Sequence, residues 1–493
     1  MHPCRFMGRG RRARLGRFAA WGCVGVLSCS DGNVRPVLEA VGTQPTAETP
    51  ASVTPPSPAP DAGSPAPQRL AAVTFPTASG WTFYGPSSGL PQRVLGVTTD
   101  GDGNLWVAGG EEGLFLLRPG EARFRAFGLS DGLHPYGYLP NGADAPGPHH
   151  LEVLSVAGAG PGTVFVGYGG KPGCEDDWDG PAPDPSVYKS GDVDRVTLAG
   201  DALQVVHYDL FSGPGVVAAE LRGREKLCSV YRIAVDMAAG TAWFGANHGF
   251  AMGKLRFGGA PGCNGQLGCT GALEHVHPAV NAWGDEARTQ AILLTGDYRG
   301  VAVNPATHDA WFAGATRTTR FTWGTHGGMS RPEGAYWEAQ VDTEATDWNR
   351  VDVWPDAAAE PTPSQRKDDL AFDASLAGDG SLWIASPAWG LAHLSPDGKV
   401  LGTVQGGLVS PHTSSVQVDA DGSVWAGARW GGGLSRLSGG GISHVDAAVL
   451  GQALAALPVS GLHLQRTAGG RRLVVAFDAS ATHAGAVGIY EGK

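Results

Sequence analysis

Charge is scarce in this chain. Asp, Glu, Lys and Arg make up 17% of its 493 residues, against roughly 25% in an ordinary soluble domain. The 36 basic residues are outnumbered by 47 acidic ones, for a net charge of -11. No concentrated basic surface of the kind that holds phosphates follows from such a balance, so nucleic acid is excluded as the main partner. Long apolar runs are missing too. The longest, FAAWGCVGVLS over 18–28, is eleven residues, short of the ~20 that a permanent membrane helix requires. The chain has no H-E-x-x-H, no phosphate-binding G-x-x-x-x-G-K-S/T and no C-x-x-C. Hence no zincin site, nucleotide loop or four-cysteine zinc site is expected, and no cofactor.

What is abundant is glycine, with 76 residues, together with 42% hydrophobic residues and 15 Trp. Apolar and aromatic content of this size argues against disorder. So much glycine argues against helical bundles. Many short strands joined by Gly-rich turns remain.

The N-terminus reads as an address. GRGRRARLGR (8–17) holds five Arg and precedes the apolar run, the order of a secretory signal. That run ends in Val26-Leu27-Ser28-Cys29, which resembles a bacterial lipobox and implies lipidation at Cys29. Cleavage nearby by an ordinary signal peptidase is the alternative. Residues 36–67 hold nine Pro among Ala, Ser and Thr, a composition that prefers extended polyproline II and packs no core. The expected organisation is a signal and anchor over 1–29, a disordered tether over 30–79 and a folded domain over 80–493. Its expected place is outside the cytoplasm, as a membrane-anchored lipoprotein of the periplasm or outer membrane. There, Cys174, Cys228, Cys263 and Cys269 would be oxidised. Cys263–Cys269 and Cys174–Cys228 are the favoured of three pairings.

Three segments align at once: DGDGNLWVAGGEEGLFLL (100–117), AGDGSLWIASPAWGLAHL (377–394) and DADGSVWAGARWGGGLSRL (419–437). Each runs from an Asp-Gly turn into a Trp-centred strand, then through a second Gly turn into another strand. Weaker copies bring the anchors to seven, Trp106, Phe165, Trp243, Trp311, Trp383, Trp425 and Val475, spaced 42 to 78 residues apart. The pattern predicts an all-β fold, a seven-bladed β-propeller of four-stranded antiparallel blades. The last unit runs out of chain after three strands. Its fourth is expected from the N-terminal Trp81–Tyr84, paired with Val487–Tyr490, which would close the ring and remove its open edges.

GLPQRVLGVTTDGDGNLWVAGGEEGLFLL and SLWIASPAWGLAHLS resemble the two-component-regulator propeller repeat, whose members are usually periplasmic sensor parts of histidine kinases. Three of the seven units match well. The resemblance implies a propeller that recognises a glycan or similar ligand. The kinase and membrane helix that accompany it in that family are not present in this sequence.

Propeller ligands usually bind at loops between second and third strands and between blades. Aligning the units puts Glu112, His248, Arg317, Trp389, Trp430 and His483 on that face, with Arg429 beside Trp430. A long insertion adds Trp178 among the acids Asp176, Asp177 and Asp179, and the blade-joining loops add His149, His150, Arg366 and Lys367. Trp389 and Trp430 occupy matching positions, suited to stacking a sugar or aromatic ligand, or to filling the loop layer. Two metal patterns fail. Asp100, Asp102, Asn104 and Glu111 have calcium-loop spacing, but the intervening strand would carry Glu111 roughly 15–20 Å away, at about 3.3 Å per residue. His275 and His277 share a strand face without a third ligand.

The expectation is a monomeric, non-enzymatic envelope protein that binds a glycan, a peptide or a protein partner. The alternative is a secreted carbohydrate-active enzyme or lyase that uses His and acidic residues of the same face.

Overall fold

The computed structural model describes residues 69–136, 144, 149–170, 190–210, 227, 229–246, 249–253, 271–276, 298–314, 318–321, 348–351, 371–467 and 470–492. The folded unit spans Pro67–Lys493. Order is thus present at residue 69, ahead of the expected start at 80. Ala71 pairs with His483, Val73 is buried and the Phe75 ring stacks on Phe83 at 5.6 Å. The anchor segment, Cys29, Cys174, Cys228, Cys263, Cys269, Trp178, His248 and Arg317 lie outside the described residues.

The first strand is β1 (Trp81–Tyr84). A four-stranded antiparallel sheet follows: β2 (Gly96–Thr99), β3 (Leu105–Ala108), β4 (Leu114–Leu117) and β5 (Arg125–Phe127). The next quartets are β6 (Val153–Gly158), β7 (Thr163–Tyr168), β8 (Val193–Ala199) and β9 (Ala202–Leu210), then β10 (Arg232–Asp236), β11 (Thr241–Ala246), β12 (Gly249–Gly253) and β13 (Gly271–Val276). These two were expected to be separate. Instead β9 outruns β8, and its last residues pair in parallel with the start of β13, so eight strands share one sheet.

Three further quartets are β14 (Tyr298–Val303), β15 (Ala310–Gly314), β16 (Thr318–Phe321) and β17 (Trp348–Val351); β18 (Asp373–Leu376), β19 (Leu382–Ser386), β20 (Gly390–Leu394) and β21 (Val400–Val404); and β22 (Thr413–Val418), β23 (Val424–Ala428), β24 (Leu434–Ser438) and β25 (Gly441–Val445). The last sheet takes β26 (Val459–Thr467), β27 (Gly470–Phe477) and β28 (Ala486–Gly492), with β1 as its fourth strand. Trp81 pairs with Tyr490 and Tyr84 with Val487, the register the sequence predicts.

The Asp-Gly turns work as their composition demands. Gly103, Gly380 and Gly422, at one position of the repeat, have φ of +81°, +84° and +79°, a region open to glycine at little cost. Asp100 accepts from the backbone N–H groups of Asp102 and Asn104, and its other oxygen takes the Asn104 amide and the Trp106 indole N–H. The carboxylate that fits a calcium loop by spacing thus serves the turn and the buried Trp. The anchors pack between successive sheets: Trp106 against Val164, Val166 and Tyr168, Trp311 against Ile384 and Ala392, and Trp425 against Leu473 and Val475.

The first strands of the quartets lie side by side. β2 contacts β6, β6 contacts β10, and the series runs through β14, β18, β22 and β26 back to β2. One element was not foreseen: a short helix, α1 (Ala447–Ala455), leads into β26. Asp446 caps it by accepting from Ala448 N at 2.9 Å, and Leu450 and Leu454 bury its apolar side.

Candidate functional site

The first strands enclose a cavity of about 240 Å³, to which each of β2, β6, β10, β14, β18, β22 and β26 contributes. Its charged and titratable lining comes from Arg232, Asp373 and His463. Arg232 and Asp373 open β10 and β18, so they sit at the end where the first strands begin. Arg232 Nε donates to Asp373 Oδ1 at 3.3 Å. Its two terminal nitrogens donate to the carbonyls of Ser460 at 3.0 Å and Tyr231 at 3.2 Å. One guanidinium therefore ties three sheets together. Asp373 also accepts from the N–H groups of Val416 and Ala374. Burial nevertheless pushes its carboxyl pKa up, against the downward pull of Arg232.

His463 lies three residues beyond Ser460 on β26, roughly 10 Å further along the strand at about 3.3 Å per residue. Its Nε2 meets Thr99 Oγ1 at 2.8 Å. The ring borders the cavity, but surrounding protein excludes enough solvent to push its pKa down to about 4. It is neutral at pH 7.

Around the opening at the Arg232 end, aromatic and cationic side chains alternate. The Arg299 guanidinium carbon lies 4.4 Å from the Tyr231 ring centroid and 4.6 Å from that of Phe372. Arg429 lies 4.6 Å from the same Phe372 ring. Tyr231 and Phe372 immediately precede β10 and β18, Arg299 is the second residue of β14, and Arg429 immediately follows β23. The row Tyr231–Arg299–Phe372–Arg429 thus crosses four successive quartets.

Local backbone explains how Arg299 enters this row. Tyr231-Arg232 and Tyr298-Arg299 are the same dipeptide at the start of two first strands. Arg232 pairs in register with Gly245, whereas a bulge between Tyr298 and Gly300 takes Arg299 out of the ladder and re-aims it. Equivalent bulges fall at Leu154, Ser414 and Ser460. The last frees the Ser460 region to meet Arg232.

Trp430 extends the row. It is 65% exposed, and its ring lies 4.4 Å from His412. His412 Nδ1 donates to Pro387 O at 2.5 Å, and its carbonyl accepts from Arg429 N at 2.7 Å. Gly431, Gly432 and Gly433 follow with φ of +89°, +119° and +98°. A Cβ at Gly431 would come 2.7 Å from the Ala456 carbonyl oxygen. The sharp loop that presents Trp430 therefore requires this glycine run.

The other residues singled out by sequence share this end of the sheets but not this row. Trp389 is half-buried and packs on the cluster of Ala302, Trp311 and Ile384. The expected matching pair of Trp389 and Trp430 therefore divides into one core-facing ring and one exposed ring. Glu112 accepts from Gln92 N at 2.6 Å. His483 lies against the backbone of Ala71, with Nδ1 2.9 Å from Thr482 Oγ1. His149 stacks on Tyr136 at 3.6 Å, and His150 lies 3.6 Å from Glu152. Sequence reasoning missed Tyr231, Arg232, Arg299, Phe372, Asp373 and His463. The repeated Tyr-Arg dipeptide was the available signal.

A second polar cluster is fully buried. Asp194 Oδ1 meets His207 Nδ1 at 2.8 Å, and Oδ2 accepts from Tyr168 Oη and from His134 N. Burial raises the Tyr168 pKa well above its ordinary value. This cluster joins β7, β8, β9 and the segment before β6. Among the described residues, no group of three or more His, Cys, Asp or Glu side chains is placed to hold a metal ion.

No family model matches the chain, and no curated protein is significantly similar to it. Several solved structures are alike in shape. YCF48 bound to a D1 peptide aligns over 86% of this chain and 100% of its own, at 12% identity and a TM-score of 0.44. The extracellular domain of the hybrid two-component system BT4673 from B. thetaiotaomicron aligns over 81% and 38%, at 10% and 0.39. Virginiamycin B lyase from Staphylococcus aureus, inactivated and holding quinupristin, aligns over 84% and 100%, at 10% and 0.45. Likeness at this level says nothing about ligand or activity.

Proposed function

We propose that this protein is a seven-bladed propeller that binds a ligand at the mouth of its central channel, held at the cell envelope through lipid on Cys29. The blade count is supported by seven first strands in successive contact and by one cavity to which all seven contribute. Pairing of β1 with β28 supports closure of the ring. The basic and apolar N-terminus and the Pro-rich stretch after it support the address and the tether.

One observation carries the binding reading: the aromatic–arginine row at the mouth ends in Trp430, a large ring left 65% exposed on an ordered loop. Exposed aromatic surface beside a fixed guanidinium is the usual make-up of a recognition site. Binding is preferred to turnover because His483, a candidate base of the enzyme reading, lies against the Ala71 backbone and outside this row. The test is an array of glycans and peptides probed with purified protein and with Trp430→Ala. Binding lost in the variant supports the reading; binding retained undiminished contradicts it.

A further inference from the structure

We infer that the cavity between the first strands is a second binding site, which takes a small neutral polyol of monosaccharide size or less on Gln417, His463 and the open strand edges. It does not depend on the mouth reading above. Arg232 of the third quartet reaches Asp373 in the fifth and the Ser460 carbonyl in the last sheet. These strands are not neighbours, so the side chain bars that end of the cavity and separates it from the aromatic–arginine row.

Each first strand ends its sheet, and all seven border the cavity. In an antiparallel strand a residue's N–H and C=O point to the same side, so these edges offer donors and acceptors together. At the position paired with a Trp anchor, β2 carries Thr98, β18 carries Ser375 and β22 carries Gln417. Thr98 Oγ1 accepts from Gly158 N at 3.1 Å, and Ser375 Oγ accepts from Val418 N at 3.0 Å. Each thereby caps the open edge of the next first strand. The equivalent target of Gln417 is His463 N, yet the Gln417 amide lines the cavity and makes no hydrogen bond among the described residues. His463 spends Nε2 on Thr99 and leaves Nδ1 unbonded. Polar groups turned into an enclosed space call for water or a ligand to meet them.

Space is kept open as well. Gly96 and Gly461 line the cavity without a positive φ, and a Cβ at either would approach no atom closer than 3.6 Å. Glycine is therefore not forced there by sterics, and inside a strand it is a cost to stability. Such glycines mark places where a ligand or another backbone comes close. A cavity of about 240 Å³ holds about eight waters at ~30 Å³ each and falls below the ~300 Å³ of pockets for drug-sized ligands. The charge within it is balanced: Arg232 and Asp373 pair, and His463 is neutral at pH 7. A charged ligand would find no spare counter-charge there. Hydroxyl groups both donate and accept, which suits edges that offer both.

Isothermal titration of the full chain tests this with glucose, galactose, xylose, sorbitol and myo-inositol, beside glucuronate and glucosamine as charged counterparts. At least one neutral polyol should bind with a dissociation constant of about 1 mM or below, and its charged counterparts should bind about tenfold weaker or worse. Gln417→Leu, which removes the amide at similar size, should weaken it about fivefold. Gly461→Ala, which adds one methyl to the wall, should weaken it about threefold. Both variants should keep the wild-type melting temperature to within a few degrees, so lost binding is not lost folding; if one does not, the other decides. Trp430→Ala should leave this binding unchanged. Failure of every neutral polyol overturns the inference, as does equal binding of the charged counterparts or undiminished binding in the folded cavity variants. Polyol binding lost in Trp430→Ala but kept in Gln417→Leu and Gly461→Ala overturns it too, and leaves the mouth reading standing.

Discussion

Arg299 and Phe372 belong to different quartets, and the guanidinium carbon of one lies 4.6 Å from the ring centroid of the other. The same ring is shared with Arg429 at 4.6 Å. Phe372→Leu keeps most of the apolar volume and removes both ring contacts, each worth about 1 kcal/mol when partly desolvated. The variant should lose about 2 kcal/mol in urea unfolding and bind ligand more weakly. An unchanged midpoint would mean that the two contacts are energetically idle.

Arg232 is the cation beside buried Asp373, so Arg232→Met should cost about 3 kcal/mol at pH 7. The pH dependence follows from the raised pKa of Asp373. A carboxyl whose folded pKa lies above its unfolded value binds its proton more tightly when folded. Stability from that group is full below the unfolded pKa and is lost as pH rises through the folded one. The deficit of Arg232→Met should therefore shrink as pH is lowered towards about 4. A deficit constant from pH 7 to 4 would contradict the assignment.

His463 has the opposite sign. Its pKa is pushed down to about 4 in the folded state, from about 6.5 unfolded. Its contribution is present above pH 6.5 and is lost as pH falls through 4, up to about 3 kcal/mol, since the ring borders the cavity. Stability of His463→Gln, followed by thermal melts, should vary less with pH than wild type across this window. Parallel pH profiles would show that another group titrates there.

Trp389 and Trp430 occupy one repeat position but meet opposite surroundings. Trp389→Ala should cost about 3 kcal/mol because the ring packs on a buried cluster. Trp430→Ala should change stability by no more than about 0.5 kcal/mol. Denaturation of the two variants side by side checks this, and similar losses would contradict it.

Much of the fold was legible because it is written locally. Asp-Gly turns, a Trp three or four residues later and a following Gly recur at Trp106, Trp383 and Trp425, and each marks a turn and a buried strand. The pairing of Trp81–Tyr84 with β28 followed from counting strands in the last unit. The mouth was less legible. Tyr231, Arg299, Phe372 and Arg429 come from four quartets and meet only after the first strands assemble. The bulge that separates Arg299 from Arg232 leaves no mark in a shared Tyr-Arg dipeptide. Whether a loop Trp faces solvent or core depends on its neighbours, which is why Trp389 and Trp430 read alike.

Hydrogen–deuterium exchange with the tightest array ligand bound tests the central claim most directly. The account predicts added protection at 230–232, 298–300, 371–373, 412 and 429–433, the segments that carry the mouth. Protection confined to the outer strands β5, β21 or β25, with these segments unchanged, would contradict it.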